Sequence, residues 1–237
     1  MQRADDLILS GWTVYQHKDK FRFGTDAVLL YHMIPRNCGR TVDLCSGGGA
    51  VALLLLAGGK TEKVTAVEIQ SQGCELARKS ARKNGAEDRL EVICGDICKI
   101  SEFLSEGVFD TVCVNPPYFK KGSGILPPDE SVAISRHELM CTVEDVFYAA
   151  SYLLKPGGNF YMVHRIDRQN EILNKIKKYN LFPTQLHHIF SKPDHPSKLF
   201  LLAAQKGAKN AECKHFNFTV MNTDGSLSEN YKKIYEE

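Results

Sequence analysis

The stretch Thr41-Val42-Asp43-Leu44-Cys45-Ser46-Gly47-Gly48-Gly49-Ala50 joins a short apolar run to the unbroken apolar segment Ala50–Ala57. The first run predicts a buried strand and the second a buried helix, with glycines at the turn between them. Glycine lets a backbone turn tightly and approach a ligand with no Cβ in the way. The next apolar run, Val64–Glu68, ends in an acid twenty-one residues after Gly47. An acid at that place accepts both hydroxyls of a ribose. Loop and acid together predict an adenosine-containing cofactor on a doubly wound sheet.

Outward from this unit, strand-like runs alternate with helical patterns. Strands are expected at Thr41–Leu44, Val64–Glu68, Leu90–Cys94, Phe109–Asn115, Asn159–His164, Leu186–Phe190 and Leu199–Gln205. Helices are expected at Ala50–Ala57, Gln72–Asn84, Thr142–Leu154 and Arg168–Tyr179. Gly85 is placed to stop the second helix and Pro156-Gly157-Gly158 to end the third. This alternation predicts an α/β, Rossmann-like fold: a seven-stranded, mostly parallel sheet with helices on both faces. The last two strands lie too close in sequence for a helix, so they form a terminal antiparallel hairpin. Residues 1–40 are then a leader covering the cofactor end, 41–206 the main domain, and 207–237 a polar tail. The apolar stretch Phe216–Val220 in that tail has no place in the pattern.

The 237 residues are 43% hydrophobic and 24% charged, values of a folded globular chain that exclude disorder for its bulk. The longest apolar run, eight residues, is too short to span a bilayer. The opening MQRADDLILSGW holds two adjacent acids and no apolar signal region, so a cytoplasmic protein without a membrane partner is expected. Eight scattered cysteines with no CxxC pair argue against a metal and for free thiols in a reducing compartment. Net charge is +2, yet Lys155–Lys214 carries eleven Lys/Arg against four Asp/Glu. A local basic surface suits nucleic acid. The alternative is a solvated helix, since Lys175, Lys177 and Lys178 share one amphipathic stretch. A monomer or weak homodimer is expected.

The glycine pattern alone does not choose between a nicotinamide dinucleotide and S-adenosylmethionine. Gly47 and Gly49 would put the last glycine of a dinucleotide fingerprint at Ala52, where alanine is tolerated. Asp43 points to S-adenosylmethionine: an acid before the loop can reach a methionine amino group directly or through water, whereas it would repel a pyrophosphate. Cys94-Gly95-Asp96-Ile97 follows the third strand. Asp96 there can accept from an adenine amino group while Ile97 lies on the ring; the alternative for Asp96 is a helix N-cap. Cys45, Gly47 and Gly49 in the loop and Ile69 beside Glu68 complete the expected cofactor contacts, with Asn115 at their edge.

Asn115-Pro116-Pro117-Tyr118 ends the fourth strand, on the same carboxyl edge as the glycine loop. The prolines fix the backbone and remove two N–H donors. The Asn115 side-chain oxygen and the Pro116 carbonyl can then accept both hydrogens of an exocyclic amine. Such an amine is poorly nucleophilic because its lone pair is delocalised. Two acceptors localise that pair and stabilise the positive charge that grows on nitrogen during methyl transfer. Tyr118 offers a flat face to a planar substrate. A rigid turn would need the two prolines alone.

The set D-L-C-S-G-G-G, Glu68, Asp96 and N-P-P-Y resembles class I S-adenosylmethionine-dependent methyltransferases that act on planar amines. It is similar in particular to the bacterial enzymes that methylate adenine N6 in the anticodon loop of a valine tRNA. The likeness extends to the leader Phe21-Arg22-Phe23-Gly24-Thr25-Asp26-Ala27-Val28-Leu29-Leu30, to Arg136-His137-Glu138, and to Met162-Val163-His164-Arg165. Cys45 departs from the superfamily pattern, where glycine is commoner. The resemblance implies S-adenosylmethionine as cofactor and tRNA as partner.

Phe21 and Phe23 alternate with polar residues and read as a short strand over the cofactor end. Thr25 and Asp26 would touch the cofactor's methionine part; the alternative is a hydrophobic lid with an N-capping Thr or Asp. Lys120 and Lys121 begin a long basic loop suited to a substrate. Arg136 or His137 would contact phosphate or form a structural ion pair. His164 and Arg165 end the fifth strand on the active edge. No general base is expected, because a methylated, positively charged amine loses its proton readily. Other readings are a guanine-N2 rRNA enzyme, a protein glutamine methyltransferase, and a non-catalytic RNA-binding protein with a vestigial pocket. The glutamine enzymes carry a helical domain before the fold, for which residues 1–40 leave no room.

Overall fold

The computed structural model describes residues 2–7, 11–17, 24–118 and 140–235. Its centre is an eight-stranded sheet. In chain order the strands are β3 (Thr41–Leu44), β4 (Val64–Glu68), β5 (Leu90–Cys94), β6 (Phe109–Val114), β7 (Leu154–Arg165), β8 (Leu181–Phe190), β9 (Leu199–Lys206) and β10 (Lys214–Thr219). Across the sheet they run β10-β8-β9-β7-β6-β3-β4-β5. β5, β4, β3, β6 and β7 are parallel, and β9 pairs antiparallel with both β7 and β8. The expected terminal hairpin is therefore β8–β9. The order reverses at β3, and ligands of such sheets bind outside the carboxyl ends of the strands beside that point.

The described helices are α1 (Thr25–Met33), α2 (Ala50–Ala57), α3 (Ser71–Lys83), α4 (Val143–Leu153), α5 (Gln169–Ile176) and the short α6 (Glu229–Lys232). Residues Ala50 through Leu56 of α2 are all buried. A helix that is apolar all round is stable only when covered on every side. Here α1, itself buried from Ala27 to Tyr31, packs over it and joins it in one core cluster. A second cluster holds Phe147, Phe160 and Phe200 on the other side of the sheet. The α1 carboxyl end is closed by the buried Lys60, whose Nζ donates to Tyr31 O (2.9 Å), His32 O (3.3 Å) and Ile34 O (2.7 Å). Helix α4 starts with a capping box between Thr142 and Asp145.

Three expectations change. The tail stretch Phe216–Val220 falls largely in β10, an eighth strand that pairs parallel to β8 from Lys214 to Thr219. Its exposed pattern hid it: only Phe218 and Thr219 of the strand are even partly covered. Pro156-Gly157-Gly158 does not end the third helix. α4 stops at Leu153 because Leu154 is already extended (φ −70°, ψ 139°). The Pro-Gly-Gly segment is an irregularity within β7, between the pairs Phe109–Leu154 and Thr111–Asn159. Finally, the leader forms a separate antiparallel hairpin of β1 (Gln2–Asp6) and β2 (Thr13–His17). The Phe21–Phe23 strand lies outside the described residues. Among the described residues no helix is long and apolar enough to cross a membrane.

Candidate active site

The carboxyl ends of β3, β4, β5 and β6 open into one cavity, lined among others by Asp43, Cys45, Gly47, Glu68, Ile69, Asp96, Ile97 and Asn115. The sequence-predicted acids and the asparagine thus meet in a single cavity. Each acid is already oriented. Glu68 Oε2 accepts from Gly47 N–H and its Oε1 from Gln70 N–H, both at 2.8 Å. Asp43 Oδ2 accepts from Ala52 N–H at 3.2 Å in the first turn of α2. Asp96 Oδ1 accepts from Cys98 N–H at 2.9 Å and caps the 3₁₀ turn Ile97–Glu102. The capping reading of Asp96 therefore holds together with its place in the cavity, since a carboxylate has lone pairs for both.

Burial sets the electrostatics. Asp43 is 1% exposed, and desolvation pushes its carboxyl up to about 7 against the pull of the Ala52 amide and Cys113. Desolvation also raises Glu68, opposed by the Gln70, Gly47 and Ile69 amides. Two buried acids facing one cavity favour a cationic group there. The chemistry of this donor set fits S-adenosylmethionine: acids for an ammonium and two ribose hydroxyls, and Ile69 and Ile97 for an adenine ring.

The loop is built on left-handed residues. Cys45 has φ +54°, Gly47 +55° and Gly49 +78°. For glycine this conformation is free, whereas for Cys45 it costs on the order of 1 kcal/mol, which explains why glycine suits that position better. The neighbouring Cys141 side chain and burial keep the Cys45 thiol protonated by pushing it well up.

Gly49 does not line the cavity. It caps α2, where a Cβ would come within 3.0 Å of the Ala77 Cβ on α3. Gly73 does line it, and sequence reasoning overlooked it. A Cβ there would sit 2.9 Å from Gly47 O and 3.0 Å from Glu68 Cγ. Its signal was a glycine inside a helical pattern, which often marks close packing.

The leader also contributes. Val14, Tyr15 and Gln16 of β2 line the cavity, a contribution with no motif to announce it. The strand docks on α3: Tyr15 N–H donates to Ser80 Oγ (2.9 Å), Thr13 N–H donates to Asn84 Oδ1 (2.9 Å), and Asn84 Nδ2 donates to Thr13 O (2.7 Å).

Thr25 and Asp26 are not in the cavity wall. Thr25 is exposed at the start of α1. Asp26 instead reaches the Asn-Pro-Pro-Tyr tetrad: Asn115 Nδ2 donates to its Oδ2 at 3.1 Å, and the Tyr118 hydroxyl lies 2.7 Å from that same oxygen. The hydroxyl is equally 2.7 Å from Asn115 Oδ1. Pro117 lines the cavity beside Asn115, while Pro116 is buried behind them.

His164 is corrected from a substrate contact to a core residue. It is fully buried, its Nδ1 accepts from Arg165 N–H (2.8 Å), and its ring packs 5.3 Å from that of Tyr118. Burial, then the charge of Arg168, lowers its pKa to about 4, so it stays neutral. Arg165 remains at the surface in an ion pair with Asp167 (2.9 Å). Arg168, not anticipated, is buried, pairs with Glu171 (3.0 Å) and donates to Tyr118 O at 3.5 Å. Several charges of the basic segment are thus bound internally; Lys175 pairs with Glu144 at 2.8 Å. Lys120, Lys121, Arg136 and His137 lie outside the described residues. No group of three metal-ligating side chains occurs among the described residues.

A switch-point cavity with a glycine loop, a buried acid at the end of the next strand and an Asn-Pro-Pro-Tyr tetrad at its edge is the arrangement of an S-adenosylmethionine-dependent methyltransferase. The chain belongs to the methyltransferase small domain family, whose model matches residues 8–182. It is 30% identical over 193 residues to a tRNA1(Val) (adenine(37)-N6)-methyltransferase of Bacteroides fragilis, covering 81% of this chain and 80% of that protein. It is 28% identical over 232 residues to the enzyme so named from Aeromonas hydrophila, covering 95% of each. Among solved structures, a predicted O-methyltransferase from Agrobacterium tumefaciens superposes with a TM-score of 0.73 at 21% identity, covering 89% of this chain and 95% of that one. That likeness is one of fold.

Proposed function

We propose that this protein transfers a methyl group from S-adenosylmethionine to the exocyclic N6 amine of an adenine in tRNA. The observation that carries the reading is that Asn115 lines the same cavity as Asp43, Glu68 and Asp96. An amide oxygen for the amine and acids for the cofactor then face one space. The names of the relatives in Bacteroides fragilis and Aeromonas hydrophila support adenine in tRNA as the acceptor.

In this reading Glu68 takes the ribose hydroxyls, Asp96 and Ile97 the adenine, and Asp43 the methionine ammonium. The cofactor, when bound, supplies an electrophilic methyl group. Asn115 Oδ1 and the Pro116 carbonyl accept the hydrogens of the substrate amine and stabilise the charge that develops on its nitrogen. The Tyr118 ring, supported from one side by His164, stacks on the extruded base. Lys120, Lys121, Arg136 and His137, with the surface residue Arg165, serve the RNA backbone in the cytoplasm. Phosphate contacts of that kind weaken steeply with salt.

The test is methylation of unmodified tRNA by the purified protein, with nucleosides identified by mass spectrometry. N6-methyladenosine is expected. N2-methylguanosine would move the reading to a guanine amine. Intact cofactor binding with no RNA product would leave a vestigial pocket.

A further inference from the structure

Asp26 belongs to the leader helix α1, yet its carboxylate bonds to the tetrad across 89 residues of sequence. Its two oxygens have separate duties. Oδ1 accepts from Ala27 N–H at 3.0 Å. Oδ2 faces both Asn115 Nδ2 and the Tyr118 hydroxyl. A carboxylate has no hydrogen to give, so the nitrogen of the Asn115 amide must turn toward it and the oxygen away from it.

The Tyr118 hydroxyl has one hydrogen and two oxygens at 2.7 Å, Asp26 Oδ2 and Asn115 Oδ1. When the hydrogen lies on Asn115 Oδ1, it occupies one of that oxygen's two lone pairs and weakens the acceptor that the substrate amine needs. The carboxylate is the stronger acceptor of the two. Resting on the reading of Asn115 as the amine's acceptor, we propose that Asp26 is a positioning residue that draws the Tyr118 hydroxyl hydrogen to itself and so keeps the Asn115 oxygen open to the substrate amine. Asp26 touches neither reacting atom in this scheme; it acts through its two partners.

The isosteric Asp26→Asn variant reverses the arrangement. Ala27 N–H holds the new amide oxygen at the Oδ1 position, which leaves an NH2 facing Asn115 and Tyr118. The tyrosyl hydroxyl then has only Asn115 Oδ1 to donate to. The experiment compares Asp26→Asn in the wild-type and in the Tyr118→Phe background, which keeps the ring and removes the hydroxyl. With saturating cofactor and tRNA, Asp26→Asn should lower kcat by about tenfold or more in the wild type, as for a lost hydrogen bond to a charged group. In the Tyr118→Phe background the same change should cost clearly less than in the wild type, because only the contact of Asp26 with Asn115 Nδ2 is then left to lose. The dissociation constant for S-adenosylmethionine should stay within about threefold throughout. Equal losses in both backgrounds, or a loss of cofactor affinity that matches the loss of rate, would overturn the role.

A second readout needs no RNA. In the wild-type protein the Asn115 side-chain amide hydrogen aimed at Asp26 should appear downfield and exchange slowly by NMR, and Asp26→Asn should abolish both properties. A wild type that leaves tRNA unmodified but keeps this signature refutes the substrate reading alone. An active wild type without the signature refutes the role of Asp26.

Discussion

Glu68 and Asp96 are held by backbone amides at most 21 residues away in sequence, whereas Asn115 and Tyr118 are held by a side chain 89 and 92 residues away. The cofactor wall and the substrate wall of one cavity are therefore built differently. Backbone amides at a turn come with the turn itself, so the cofactor acids are oriented once their own turns form and β3 pairs with β4. The tetrad is oriented only when the leader helix, the end of β6 and the buried Arg168 have come together. The contrast predicts that damage should be separable: changes in one wall alter affinity for the cofactor, and changes in the other alter the rate of transfer.

The strongest attempt to break that separation is Asn115→Ala. It should lower kcat by about 10²–10³, the range for removing a preorganised transition-state acceptor or donor. The S-adenosylmethionine dissociation constant should move less than about threefold. A large loss of cofactor affinity, measured by isothermal titration, would mean that Asn115 belongs to the other wall. The converse change is Glu68→Ala. Hydrogen bonds to a charged group are worth about 1.5–3 kcal/mol each, so loss of the two ribose contacts should weaken cofactor binding about 100-fold or more with kcat at saturation nearly retained. The Gly47 and Gln70 amides lose their acceptor as well, which ties the loop geometry to the same residue. Comparable losses in kcat and affinity would merge the two walls into one unit.

The smallest expected effect sharpens the cofactor wall by pH. Burial raises Asp43 to about 7 in the folded protein. Because this lies above its unfolded value, Asp43 favours the folded, ligand-free state at acid pH, and that contribution is lost as pH rises toward 7. An ammonium needs the ionised carboxylate, so binding below pH 7 must release a proton. Cofactor affinity should fall by up to about tenfold per pH unit below 7 and level off above it. Titration calorimetry in two buffers of different ionisation enthalpy at pH 6 reads the proton directly. A pH-independent affinity with no proton release would remove Asp43 from the ammonium site.

The same contrast marks what could be read from sequence. The loop, Glu68 and Asp96 were legible because their spacing along the chain is the geometry of the site. So was the parallel sheet, because each strand is a compact apolar run. Asp26 was legible as a member of the site but not in its role: nothing in the leader says that its carboxylate will meet Asn115 and Tyr118. His164 looked like a rim residue because it ends a strand on the active edge, yet it is packed between Tyr118 and Phe200. Strand β10 escaped because its alternation, Phe216-Asn217-Phe218-Thr219-Val220, is short and stands alone in a polar tail with no helix or strand pattern beside it to pair with. Gly73 lay in plain sight inside α3, and only the three-dimensional approach of Gly47 explains it.

Lys60 has a consequence for a place it never touches. Its ammonium grips the last carbonyls of α1, and Asp26 rides on the first turn of that same rod. Three hydrogen bonds at its tail help to fix where that helix lies, and with it where Asp26 meets the asparagine. The lysine is the keel of the reaction chamber.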